Sequence, residues 1–274
     1  MATAVWGWTF VLVKDAVTQY PTLPFLQLRF AVALVVMALL VRRLPTSREL
    51  RIGALVGAVL AGAYLTQTAG MTQTSPGNAG LITGLFVVFT PLVNRIFGAR
   101  IHWWTWVATA ISVVGLAFLT GGLGGMGLGD FLVLVCAVLF ALHIVLLGRW
   151  SPGLPAAPLA MVQMGMSAVI FSAAGTWQLR PPSGSVWFAI VITGVFASAF
   201  GFYIQTWSQG FISPNRTALI LATEPAWALA AAVVLAGQRF GLPQAIGAAL
   251  VLVAIVGHEL ASLKFEPHGE PVAT

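Results

Sequence analysis

The sequence predicts an all-α integral membrane protein of ten transmembrane helices, arranged as two inverted five-helix repeats. Three observations carry that prediction. Hydrophobic residues make up 59% of the 274 positions and charged residues only 7%, whereas a water-soluble domain carries roughly 25% charged residues. Apolar runs near the length of about 20 residues that a helix needs to cross a bilayer follow one another through the whole chain, without the alternation that membrane strands would show. Finally, a stretch of the first half returns in the second. Gln67 to Pro91 reads QTAGMTQTSPGNAGLITGLFVVFTP and Gln205 to Pro225 reads QTWSQGFISPNRTALILATEP, with Gln67-Thr68 and Ser75-Pro76 each 138 positions before Gln205-Thr206 and Ser213-Pro214. A match at about half the chain length is the mark of a duplication.

The ten runs are, in order, Thr3–Thr18, Pro24–Val41, Ile52–Gly70, Asn78–Phe97, Trp103–Thr120, Gly129–Leu147, Ala157–Trp177, Val186–Gln209, Asn215–Gly237 and Pro243–Ala261. Short connections rich in Pro and Gly separate them: Tyr20–Pro24, Pro45–Glu49, Gly121–Gly127, Ser151–Pro158 and Arg180–Gly184. The repeats are placed at residues 1–120 and 127–261, with 262–274 as a flexible cytoplasmic tail. The net charge of +6 raises the question of nucleic acid. The basic residues are few, however, and cluster at the ends of apolar runs, which points to membrane topology and to lipid as the macromolecular surroundings. Arg42, Arg43, Arg48, Arg51, Arg95, Arg100, Arg149, Arg216 and Lys264 fall on one side, against Arg180 and Arg239 on the other. The basic side is expected to be cytoplasmic, which puts both termini inside and Trp103, Trp104 and Trp106 at the cytoplasmic interface.

Five helices per half is an odd number, so the second half enters the membrane from the opposite side, the plan of many secondary transporters. Other positions repeat as well. Pro24 and Arg29 match Pro158 and Gln163 at a shift of 134, as Pro91 matches Pro225. The change of shift places a four-residue insertion, about one helical turn, between Ser75 and Pro91.

The order of these features resembles the drug/metabolite transporter superfamily, and within it the ten-helix EamA-type exporters built from two EamA repeats. The likeness rests on Trp6-Gly7 with Lys14, Pro24 with Leu28-Arg29-Phe30, Gly129-Asp130, Ser213-Pro214, Glu224-Pro225, and Gly247 with Gly257. It covers roughly Thr3 to Ala261. The resemblance implies a bacterial inner-membrane exporter of amino acids, other metabolites or drugs. It places the pathway between the repeats, enclosed by runs three, four, eight and nine with parts of one, two, six and seven. The chain looks most similar to exporters of aromatic or hydrophobic amino acids. Two departures stand out: Thr90 where the second repeat has Glu224, and the extra turn in run four.

Several polar residues are candidates to line that pathway. Glu224 is the carboxylate set deep in a helix, read either as a coupling or substrate-amine site or as a partner for backbone freed by Pro225. His143 is read as facing the cavity or as a neutral histidine bonded to a neighbouring helix. Gln163 and Arg29 are equivalent in the repeats; Arg29 is read either as attracting an anionic carboxylate or, about five residues past Pro24, as snorkelling to the outer headgroups, which is the expectation. Gln67 with Tyr64, and Gln205 with Tyr203 and Trp207, suit an apolar site with a few hydrogen-bonding groups. Trp6 and Trp8 are expected as interfacial anchors. Gly53, Gly57, Gly62 and Gly247 suit close helix packing. Pro76, Pro91, Pro214 and Pro225 are candidate bends.

The sequence carries no metal-ligand spacing, nucleophile elbow or phosphate loop, so neither cofactor nor catalysis is expected. A lipid-acting enzyme would show clustered Asp, His or Glu near one interface, whereas the seven acidic residues are scattered. A channel would need repeated polar rings from an oligomer, which a duplicated chain does not require. The expected activity is export of small metabolites by alternating access, aromatic or hydrophobic amino acids first, with proton-coupled multidrug efflux as the alternative.

Overall fold

A computed structural model of the chain describes residues 2–41, 43–100, 102–120, 125–175, 178–212 and 214–265. Ser213, Trp177, Arg42 and residues 266–274 of the expected tail lie outside the described residues. Those described are overwhelmingly helical and contain no strand. The helices are α1 (Ala2–Gln19), α2 (Thr22–Leu40), α3 (Ser47–Met71), α4 (Pro76–Thr83), α5 (Phe86–Ile96), α6 (Trp103–Thr120), α7 (Leu128–Trp150), α8 (Ala156–Gly175), α9 (Gly184–Ile192), α10 (Gly201–Gln209), α11 (Pro214–Leu221), α12 (Glu224–Val234) and α13 (Leu242–Phe265). The pairs α4–α5 and α11–α12 are single tracks broken once, and α9 and α10 are joined through a π-helical turn, so ten tracks result. Seven of these, counted over the described residues, are long and apolar enough on their own to cross a bilayer. Helix is what lipid demands, because each backbone N–H and C=O must find its partner within the segment.

Local chemistry sets the ends. Thr46 and Glu49 form a reciprocal capping box at the start of α3, and Arg43 pairs with the same carboxylate. Ser75 caps α4, with Pro76 at its first position. Ser183 caps α9. Helix α13 continues to Phe265, four residues beyond the expected end of the last run.

The packing has the two-fold character that the repeat requires. Helices α2 and α8, equivalent in the two halves, pack on each other, as do α6 and α13. The contact of α1 with α12 is matched by that of α7 with α5, and that of α3 with α8 by that of α2 with the π-helical turn. Small residues allow the close approaches. A Cβ on Gly115 would lie 3.0 Å from the Gly247 carbonyl oxygen, and one on Gly57 2.9 Å from the backbone of Gln163. In a bilayer such van der Waals contact, rather than burial from water, holds helices together. Phe25, Phe30, Phe171 and Met37 are wholly buried around the α2–α8 contact, while Leu39, Val169, Ile220 and Val253 point outward, as lipid-facing positions do.

Side-chain bonds tie the connections together at each end. At one end Lys14 Nζ donates to the carbonyl oxygens of Met71 at 2.7 Å and Thr72 at 3.2 Å. At the same end the Tyr20 hydroxyl donates to the Arg180 carbonyl at 2.6 Å and the Thr74 hydroxyl to Asp130 Oδ1 at 2.5 Å. Gln238 there spans Ser75 Oγ at 2.9 Å and the Gly77 N–H at 3.0 Å. At the other end Arg149 donates twice to Asn94 Oδ1, at 3.1 and 2.7 Å, and Thr105 Oγ1 lies 3.2 Å from His258 Nε2. Connections after odd-numbered tracks thus gather at one end and those after even-numbered tracks at the other. Arg43, Arg48, Arg51, Arg95, Arg100 and Arg149 all belong to the second end.

Candidate functional site

A central cavity lies between the halves. On α1, Trp6, Thr9, Phe10 and Val13 recur at helical spacing and present one face to it, as Tyr64, Gln67 and Met71 do on α3. Phe140 and Ile144 come from α7, Phe202 and Gln205 from α10, and Arg29 from α2. The broken tracks contribute at their breaks: Thr83 and Phe86 flank the first, Leu221 and Glu224 the second. The cavity measures about 530 Å³ including its mouth.

The walls are mostly aromatic. Phe202 lies 5.5 Å from Trp6 and 5.9 Å from Tyr64, and Tyr64 meets Phe140 edge-on at 5.5 Å. A basic and an acidic side chain, Arg29 and Glu224, stand among them. Arg29 is 2% exposed. Its Nε donates to Ser198 Oγ at 2.9 Å, one terminal nitrogen donates to the Tyr64 hydroxyl at 3.2 Å, and its guanidinium carbon lies 4.5 Å from the Tyr64 ring centre. Glu224 is 8% exposed and makes no hydrogen bond or ion pair among the described residues. Tyr64 is within electrostatic reach of both. A buried charge without a counter-ion costs several kcal/mol, and among the described residues neither Arg29 nor Glu224 has an ion-pair partner, although both face the same space.

The breaks are offset from the prolines. The first track is interrupted at Gly84–Leu85 and the second at Ala222–Thr223, 138 positions on (222 − 84 = 138), the shift of the Ser-Pro pairs. Pro91 continues inside α5, whereas Pro225 follows its break at once. The extra turn of the first repeat therefore sits between break and proline. Pro76 and Pro214 open α4 and α11.

The structure distributes the remaining candidates as follows. Tyr64, Gln67, Gln205 and Glu224 line the cavity. Gln67 Nε2 is held by Thr83 Oγ1 at 3.2 Å and Gln205 Nε2 by Gln209 Oε1 at 3.0 Å. His143 and Gln163 lie behind the wall. His143 Nε2 donates to Gln163 Oε1 at 2.9 Å, Gln163 Nε2 donates to Thr206 Oγ1 at 3.2 Å, and the imidazole meets Phe202 edge-on at 5.6 Å. Tyr203 packs partly buried outside the cavity and Trp207 is 55% exposed on the outer surface. Two residues read as interfacial enter the site instead. Arg29 does not snorkel, because Ser198 and Tyr64 hold it inward, and Trp6 is buried, its indole N–H donating to the Ala197 carbonyl at 2.7 Å. Glu224 faces the cavity rather than the backbone before Pro225. The equivalence of Arg29 with Gln163 was the sequence signal for an inward arginine, since a buried amide at one site implies an enclosed partner at the other.

Comparison with known proteins agrees with this architecture. The EamA-like transporter family matches the chain twice, over residues 1–121 and 127–258. An uncharacterized transporter of Archaeoglobus fulgidus is 26% identical over 261 residues, covering 93% of this chain and 82% of the relative. The uncharacterized inner membrane transporter YedA of Escherichia coli K12 is 25% identical over 263 residues, covering 92% and 86%. A protein solved by crystallography superposes with a TM-score of 0.71 at 19% identity over 96% of both chains, which shows the fold. With the family matched over both halves, the chain belongs to the EamA-like transporters of the drug/metabolite transporter superfamily.

Proposed function

We propose that the protein exports small metabolites, chiefly amino acids with aromatic or hydrophobic side chains, across the bacterial inner membrane by alternating access. The observation that carries this reading is that a basic and an acidic side chain, Arg29 and Glu224, neither with an ion-pair partner among the described residues, face one aromatic-walled cavity. An amino acid is a zwitterion with an apolar side chain. Its carboxylate suits a guanidinium fork, its ammonium suits the Glu224 carboxylate, and its ring suits the faces of Trp6, Phe202 and Phe140. A solute of single charge would satisfy one of the two and leave the other buried alone. The inner-membrane location is supported by the name of the YedA relative. The Arg-rich end supports cytoplasmic termini.

For transport, the halves rock about the crossing of the broken tracks. Bound zwitterion pairs with both groups, which lowers the cost of closing the loaded cavity. Counterflow in proteoliposomes tests this: vesicles loaded with unlabelled amino acids should take up labelled phenylalanine at equal pH on both sides. Absence of exchange for every amino acid, with pH-driven movement of a lipophilic cation, would replace this reading by multidrug efflux.

A further inference from the structure

The turn between α9 and α10, Thr193–Phe200, is π-helical over eight residues. Such turns are rare, usually short, and concentrated at functional sites. We infer that this segment determines which solutes the cavity accepts, by fixing the cavity's cation and its largest aromatic wall at a set spacing, with Ser198 as the residue that positions Arg29. The inference rests on the zwitterion reading above.

Adjacent residues of the segment make the two contacts. The Ala197 carbonyl accepts the Trp6 indole N–H at 2.7 Å, and Ser198 Oγ accepts Arg29 Nε at 2.9 Å. The π turn accounts for the first. Its hydrogen bonds run from residue i to i+5, which shifts carbonyls off the helix axis and lets one accept from a side chain. A glycine stands beside each contact. A Cβ on Gly194 would lie 2.8 Å from the Arg29 carbonyl oxygen, and one on Gly201 2.8 Å from Trp6 Nε1. The segment is thus pressed against α2 at one end and α1 at the other. Arg29 and Trp6 belong to the first repeat and the segment to the second, so the element that spaces them also bridges the halves.

A guanidinium has five N–H donors. Ser198 occupies Nε and Tyr64 one terminal N–H, which leaves terminal donors for a carboxylate and locks the plane of the fork. Because Trp6 is tethered one residue away, carboxylate and ring are read at one separation. Amines lacking the carboxylate gain nothing from the Arg29 fork.

The test is the KM and maximal rate of counterflow for phenylalanine and for phenethylamine, in wild type, Ser198→Ala and Trp6→Phe. The expected result for Ser198→Ala is a KM for phenylalanine raised by about tenfold, as for a weakened carboxylate contact with a misplaced Arg29 fork. Phenethylamine KM and maximal rate should stay as in wild type. Trp6→Phe keeps a ring but loses the N–H, and should flatten the preference among tryptophan, phenylalanine and leucine. A Ser198→Ala protein that raises both KM values equally, or neither, overturns the inference while leaving the zwitterion reading standing. A wild type that fails to prefer phenylalanine over phenethylamine overturns both. Should Ser198→Ala not fold, unchanged selectivity in Trp6→Phe is by itself sufficient to overturn it.

Discussion

Gly84 of the first repeat lies directly against Pro225 of the second: a Cβ at position 84 would fall 2.1 Å from Pro225 Cγ. One turn away Gly80 meets Ala228 in the same way, with 2.2 Å to its Cβ. The two broken tracks therefore cross where each is interrupted, beside Glu224. The pyrrolidine ring cannot rotate away, so the crossing has no slack.

Gly84→Ala should lower the thermal unfolding midpoint in detergent, by an overpacking cost of about 1–3 kcal/mol, and should reduce transport further than stability alone explains. Gly62→Ala is the control. A Cβ there meets only Leu139 Cδ1 at 3.4 Å, and alanine is the better helix former by about 1 kcal/mol, so its midpoint should hold or rise. Equal losses in both variants would show that the crossing is not a special contact.

At the start of α3 the Thr46 hydroxyl accepts the Glu49 N–H at 3.3 Å, and Glu49 Oε2 accepts the Thr46 N–H at 2.7 Å. Thr46→Ala should cost about 1 kcal/mol and speed amide hydrogen exchange in the first turn of α3, with counterflow retained. Unchanged exchange there would mean that the Arg43–Glu49 pair alone holds the turn.

Much of this fold was legible in the sequence because lipid imposes length, and a duplication repeats its punctuation. The ten runs and the Ser-Pro pairs needed only those two facts. Glu224 was legible because a lone carboxylate deep in an apolar helix is costly wherever it points. Rotation about each helix axis was harder to read. Lipid is as apolar as a packed core, so a membrane helix lacks the polar face that would orient it. Arg29 near a helix start was consequently taken for a residue reaching outward, and Trp6 for a belt anchor. Trp207, four residues from Tyr203, looked fit for a cavity and instead faces outward. His143 and Gln163 were visible as buried polar groups, but that they bond to each other depends on how α7 meets α8. Nothing in TGVFASAF announces a π turn.

The charge asymmetry of the ends leads to a prediction of topology. Leu44 is highly exposed at the Arg-rich end and Ser185 is exposed at the opposite one. The native thiol, Cys136, is buried and should give little background. In right-side-out vesicles a membrane-impermeant maleimide should label Ser185→Cys and spare Leu44→Cys until the membrane is opened. The reverse pattern would place the basic end outside.

The central claim is that Arg29 and Glu224 hold opposite ends of one zwitterion. The most direct measurement is counterflow of labelled phenylalanine competed by phenethylamine, which lacks the carboxylate, and by 3-phenylpropionate, which lacks the amine. Each should compete at least about tenfold more weakly than phenylalanine in wild type, since each leaves one buried charge unpaired. Arg29→Gln should bring phenethylamine level with phenylalanine, and Glu224→Gln should do the same for 3-phenylpropionate. Analogues that compete as well as phenylalanine in wild type, or both substitutions weakening every ligand alike, would contradict the account.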